Sequence, residues 1–167
     1  MTFNLFFRAG FIACVLFVQG AFADELLVPV HALDATASRN DDGVQEILEQ
    51  ALDLIGIRYR RGGTNAESGF DCSGFVGYVF REGLGMMLPR TSREISKAGR
   101  HVAKDELQPG DLVFFHTMRR GFSHVGIYLG DHLFVHAGRT GEAVRVEDIR
   151  ISYWARRFDG ARRLYDE

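Results

Sequence analysis

Four things are scarce in this chain, and each scarcity excludes a class of protein. Positive charge is the first. The 20 Lys and Arg stand against 22 Asp and Glu, a formal net charge of −2, and no stripe of cations interleaved with aromatics is present, so no nucleic-acid partner is expected. Long apolar runs are the second. The run Phe11 to Val18 is far shorter than the roughly 20 residues that cross a bilayer, so no membrane span is expected in the mature protein. The third is clustered metal ligands: a structural zinc wants about four Cys or His side chains at close local spacing, and no such group occurs. Neither metal nor cofactor is expected. The fourth is cysteine, present only at Cys14 and Cys72.

What is abundant is ordinary. An apolar fraction of 46% and a charged fraction of 25% over 167 residues are those of one globular domain with a sizeable core. The start differs from the rest: Arg8 is the only charge before Asp24, an apolar run follows it, and Ala21-Phe22-Ala23 is an Ala-x-Ala cleavage pattern. Residues 1–23 are therefore expected to be an export signal, and the protein to lie in the periplasm or cell envelope. Cys14 falls inside the apolar run instead of at its end, which disfavours a lipid anchor there. Cleavage leaves Cys72 as a lone thiol in an oxidising compartment, where it is either incidental or kept reactive.

Along the chain, residues 24–40 show no sustained period and include Pro29, so they are expected to form an N-terminal arm ahead of a domain over 41–167. From Asp41 to Ile55 the apolar residues Val44, Ile47, Leu48, Ala51, Leu52 and Ile55 make one helical stripe, stopped by Gly56. A second helix is expected from Cys72, with Asp71 as its N-cap and Phe75, Val76, Val79 and Phe80 on one buried face, ending near Gly83 or Gly85. Thr91-Ser92-Arg93-Glu94 has the form of a capping box. After Pro109-Gly110 the period changes to that of strands, at Asp111 to Phe115, His124 to Leu129 and Leu133 to Ala137. A last strand, Tyr153 to Phe158, carries the only tryptophan. Helices followed by antiparallel strands predict an α+β domain with helices packed on a sheet.

Cys72 in the first helical turn lies where unpaired N–H groups and the helix dipole can lower a thiol pKa from about 8.5 to roughly 3.5–7.5. Asp71 opposes this, so an imidazolium nearby is expected. A thiol nucleophile needs an imidazole to take its proton and return it to the leaving amine, with a third polar group fixing the ring. Of the six histidines, His124 opens one strand and His136 closes the next.

The blocks Asp71-Cys72-Ser73-Gly74-Phe75-Val76, Leu88-Pro89-Arg90-Thr91-Ser92, Pro109 to Phe115, Ser123-His124-Val125-Gly126-Ile127-Tyr128 and Phe134-Val135-His136-Ala137 together resemble the NlpC/P60 family of cell-wall cysteine peptidases, in order and spacing. The resemblance implies a papain-like fold, Cys72 as nucleophile, His124 as base and acid, and His136 as orienter. It places Tyr59 beside the sulfur as an oxyanion donor, with Asp71, Ser73 and Ser123 lining the cleft. It implies cleavage of amide bonds in peptidoglycan stem peptides, most often between γ-D-glutamate and a diamino acid. Arg58 or Arg61 are candidates for reading stem-peptide carboxylates, and Arg90 reads as a structural ion-pair residue. Two other functions stay open: thiol chemistry on a different amide or ester, and a non-catalytic cell-wall binder. No protein partner is legible.

Hairpin parity tests the histidine assignment. With a plain two-residue loop at Gly130-Asp131, His136 would pair with Val125 and point away from His124. A three-residue loop or a β-bulge restores the shared face, and one of these is expected.

Overall fold

Caps and glycines divide the chain into its elements. In the computed structural model, which describes residues 30–118 and 120–165, helix α1 runs over Val30–Asp53. It begins inside the segment 24–40 that the sequence pattern assigns to an arm, so residues 30–40 are helical. That stretch lacks a clear period but also lacks Gly and Pro, and its alanines and Leu33 favour helix. The expected export signal, residues 1–23, lies outside the described residues. In α1, Ile47, Ala51 and Leu54 are buried, whereas Leu52 and Ile55 are exposed; the buried stripe is narrower than the apolar pattern. Gly56 follows with a φ of 91°, the left-handed turn that glycine adopts without strain.

A two-stranded ribbon, β1 (Thr64–Asn65) and β2 (Gly69–Phe70), delivers the chain to helix α2 (Cys72–Leu84). Asp71 caps it as expected, its carboxylate accepting the Gly74 N–H at 2.7 Å, and Gly85 closes it with a φ of 64°. Phe75, Val76, Val79 and Phe80 are wholly buried, each contributing about 1.5–3 kcal/mol by leaving water. A Cβ at Gly74 would overlap the Gly63 carbonyl, so glycine there lets the ribbon rest on the helix start. The short helix α3 (Ser92–Ile95) carries the expected capping box between Thr91 and Glu94.

Six strands form one antiparallel sheet: β3 (Arg100–Val102), β4 (Leu112–Phe115), β5 (His124–Gly130), β6 (Leu133–Ala137), β7 (Val144–Asp148) and β8 (Phe158–Arg163). Their spatial order is β3-β8-β4-β5-β6-β7. Alternation splits the side chains between two cores. Leu112, Phe114, Val125, Ile127, Val135 and Ala137 pack with α1 and α2. Val113, Phe115, Tyr128, Phe134 and Trp154 form a second cluster, so the other face is covered as well. The tryptophan does not lie on a strand. Residues Ser152–Ala155 form a helical turn, α4, because Trp154 and Ala155 both donate to the Ile151 carbonyl at 2.9 Å, and β8 starts only at Phe158.

Asp111 and Arg163 fasten β4 to β8 from inside. Both are buried, and the guanidinium meets the carboxylate at 2.7 and 2.8 Å. Among the described residues no helix is long and apolar enough to cross a membrane.

Candidate active site

The β5–β6 hairpin resolves its parity with a bulge. Ile127 pairs with Val135 and Tyr128 with Phe134, then the register shifts so that Gly130 faces Leu133. The turn residues Asp131 and His132 both have positive φ, 49° and 67°, as a type I′ turn requires. Continuing the register sets His136 opposite Gly126 and diagonal to His124, on the same face. The result is a bond of 2.8 Å between His124 Nε2 and His136 Nδ1. Glycine at 126 makes room for it, since a Cβ there would stand 2.7 Å from the Phe134 ring and 3.1 Å from His136 Cβ.

Tyr59, Cys72, Ser123, His124 and His136 line one cavity of about 480 Å³. Cys72 enters from the start of α2, and its sulfur is approached by backbone N–H groups of Val125, Ser73 and its own residue. Tyr59 is held by its N–H to the Glu142 carbonyl at 2.8 Å and by a bridge to Phe70. Its hydroxyl stays protonated, because burial, the Cys72 sulfur and Asp71 raise its pKa. Ser123 closes the β4–β5 loop, its hydroxyl accepting the Thr117 and Met118 N–H groups at 2.9 and 3.1 Å.

Asp71 and Ser73 are not among the residues lining that cavity. The Asp71 carboxylate is already shared by Gly74 N–H, Gly62 N–H and the Arg90 fork, whose closest contact is 2.6 Å. Burial works to raise its pKa, but those donors, Arg90 first, hold it below the usual carboxylate range. Ser73 Oγ sits in the same knot, 2.9 Å from Arg90. Arg58 donates to the Ser68 carbonyl at 3.3 Å, and neither it nor Arg61 lines the cavity; Arg139 and Arg145 do.

Protonation differs from the sequence expectation. Burial, with Asp71 second, pushes the Cys72 thiol up to about 11, and the N–H groups at the sulfur offset only part of that. Burial, with His136 and Arg145 adding to it, takes His124 down to about 3, and burial and Arg145 take His136 to about 3. The helix-start effect is real but smaller than desolvation of a buried charge. Burial thus favours the neutral thiol and the neutral imidazoles that line this one cavity.

Of the other residues lining the cavity, Glu142, Arg145, Glu147 and Trp154 are among those that escape the sequence reading. The alternation Val144-Arg145-Val146-Glu147 was the available signal, a strand period at the end of the hairpin.

A helix-start cysteine and two strand-borne histidines that line one cavity, in a chain whose helices pack against an antiparallel sheet, define a papain-like α+β domain. The NlpC/P60 family model matches residues 56–163. The chain belongs to that family. It is 43% identical over 126 residues to murein DD-endopeptidase MepS/murein LD-carboxypeptidase of Escherichia coli strain K12, covering 75% of this chain and 65% of that one. With gamma-DL-glutamyl hydrolase of Bacillus subtilis strain 168 it shares 40% over 119 residues, 71% of this chain and 29% of that one. Among solved structures, an NLP/P60 family protein similar to a lipoprotein, from Staphylococcus aureus, superposes with a TM-score of 0.67 at 37% identity, over 74% of this chain and 42% of that one. The chain thus spans less than two thirds of each of these relatives.

Proposed function

We propose that the chain is an exported cysteine endopeptidase that hydrolyses amide bonds in peptidoglycan stem peptides. The observation that carries this reading is one cavity lined by a helix-start thiol and a hydrogen-bonded pair of histidines. Residues 1–23 act as the export signal, placing the protein in the periplasm or cell envelope, and residues 41–167 form the catalytic domain.

Cys72 is the nucleophile and His124 the base. His124 uses Nε2 on His136, so Nδ1 receives the thiol proton as sulfur attacks the carbonyl carbon and the C–S bond forms. The oxyanion is met by the Cys72 N–H, which has no intrahelical partner at that position, and by the Tyr59 hydroxyl. The His124 imidazolium then gives its proton to the amine as the C–N bond breaks, leaving a thioester. Water attacks that thioester, His124 takes the proton, and the thiol returns. Asp71 and Ser73 act from beneath by fixing the first turn of α2, and Ser123 by holding the loop at the cavity rim.

The favoured bond joins γ-D-glutamate to the diamino acid. A second reading, a DD bond, is favoured by the relative of 43% identity whose name is murein DD-endopeptidase. Digestion of defined muropeptides by the mature protein, followed by mass spectrometry, separates them by fragment mass. Cys72→Ala should abolish either product. Full cleavage by that variant, or no cleavage of any muropeptide by the wild type, refutes the assignment.

A further inference from the structure

One wall of the cavity is charged and has no part in the reaction scheme. Arg139, Glu142, Arg145 and Glu147 all line it, and they are joined in series. Arg145 meets Glu142 at 2.6 Å and Glu147 at 2.7 Å, and Arg139 Nε donates to Glu142 at 2.9 Å. The backbone seats these ion pairs. Arg139 to Glu142 form the turn between β6 and β7, closed by the Glu142 N–H on the Arg139 carbonyl at 2.9 Å. Gly141, with a φ of 90°, occupies the position where a type II turn needs glycine. At Gly138 a Cβ would overlap the Glu142 carboxylate and stand 3.2 Å from Arg145, so glycine there lets the carboxylate rest on the main chain.

Strand pairing sets which part of a substrate would meet this wall. Arg145 pairs with His136 across β6 and β7, and directly opposed residues share a face. The wall therefore lies on the histidine side of the site. An amine departs on the side of the imidazole that protonates it, so the residue supplying that amine extends towards Arg145 and Arg139. Arg139 follows His136 by three residues, a span of at most about 11 Å, which a substrate side chain and the arginine's own can bridge together.

The two arginines differ in what they leave open. Arg145 engages Nε, Nη1 and Nη2 on the two glutamates. Arg139 is held through Nε alone, its side chain is 84% exposed, and its Nη1 and Nη2 have no partner among the described residues. Glu142 is also paired with Arg145, so anchoring Arg139 does not cancel its charge. A guanidinium fixed at Nε turns its outer nitrogens outward as a fork that matches a carboxylate with two parallel bonds.

We propose that Arg139 is a specificity-determining residue that binds a carboxylate on the amine-supplying side of the cleaved bond. The site then selects a diamino acid with a carboxylate at the far end of its side chain, as in diaminopimelate, over one without it, as in lysine. The inference rests on the peptidase reading. It gives Arg139 the kind of contact that the sequence pattern offers to Arg58 or Arg61, neither of which lines the cavity.

Calorimetric titration of the mature Cys72→Ala protein isolates the contact, using three stem tetrapeptides that differ only at the diamino acid: diaminopimelate, diaminopimelate with its side-chain carboxyl converted to carboxamide, and lysine. The free carboxylate should bind roughly tenfold more tightly than either of the others. Because Arg139 is exposed, that preference should shrink at high salt. With Arg139→Gln added, the three should bind alike, and Arg139→Lys, which keeps the charge without the fork, should recover only part of the preference. Equal binding of the three when Arg139 is intact, or an undiminished preference in Arg139→Gln, overturns the proposal. Digestion of the same tetrapeptides by the wild type reports on the reaction separately. Selective binding by Cys72→Ala with no cleavage by the wild type sinks the peptidase reading and leaves the carboxylate site standing, whereas cleavage of all three at equal kcat/KM overturns the site and leaves the peptidase.

Discussion

Lowering the pH from 7 to 5 should unfold this domain more readily by an amount set chiefly by two rings. His124 and His136 are both buried, and burial takes each from 6.5 to about 3. Each ring therefore binds a proton more readily unfolded than folded, and unfolding takes up protons as the pH drops below 6.5. The stability that the neutral rings contribute is fully present above that value and is lost as the pH falls from 6.5 towards 3. The two rings together lose roughly 3 kcal/mol for each pH unit, and roughly 4 kcal/mol by pH 5. Against a net stability of about 5–15 kcal/mol for a domain, that is large enough to decide whether it stays folded.

Urea unfolding at pH 7.5, 6.5, 5.5 and 5.0 measures the effect, with a constant m-value confirming that one transition is compared throughout. His136→Asn keeps an acceptor for His124 Nε2 but removes one titrating ring, so its slope below pH 6.5 should be about half that of the wild type. The variant also cancels the background from exposed groups. A wild-type stability that is flat between pH 7 and 5, or equal slopes in the two proteins, would refute the claim that burial keeps these rings neutral. It would also remove the reason for expecting an uncharged His124 at neutral pH.

Two other expectations can be checked on the same preparations. With the thiol pushed up to about 11, the rate of Cys72 alkylation by iodoacetamide should rise about tenfold per pH unit between pH 7 and 10; a plateau already reached below pH 8 would mean a thiolate paired with an imidazolium. Asp111→Ala removes the carboxylate from the buried Arg163 fork and should cost about 3–5 kcal/mol in urea unfolding at pH 7, whereas a loss below about 1 kcal/mol would show that the guanidinium finds an equal partner.

Local chemistry in this chain was legible where neighbours in sequence decide it. The Asp71 cap, the apolar face of α2 and the Thr91–Glu94 box are each written within a few residues. Parity alone called for either a three-residue loop or a bulge between His124 and His136, and the hairpin uses the bulge. What escaped depends on distant packing. Val144, Arg145, Val146 and Glu147 alternate as a strand should, yet the run is short and charged, and its place beside the cavity depends on pairing with β6. Trp154 fits an apolar strand by composition; the turn that holds it is formed by the Ile151 carbonyl and by an aromatic cluster drawn from three other elements.

The cysteine shows the same division within a single residue. The helix dipole and the N–H groups of Ser73 and Cys72 are local and favour the thiolate, whereas the capping Asp71, equally local, opposes it. Burial is not local, and no motif reveals how much protein surrounds a sulfur. Here it outweighs the helix start, so the motif places the thiol at the helix start and misjudges its charge. The consequence for chemistry is specific. A sulfur stored as a thiol resists oxidation, since oxidants react with the thiolate. In the mechanism proposed above, its nucleophilicity would appear only when a carbonyl carbon is in place to accept the electron pair and His124 can take the proton in the same step. Burial at the mouth of α2 thus ties reactivity to occupancy of the cleft, a coupling that an exposed thiolate at the same helix start would not have.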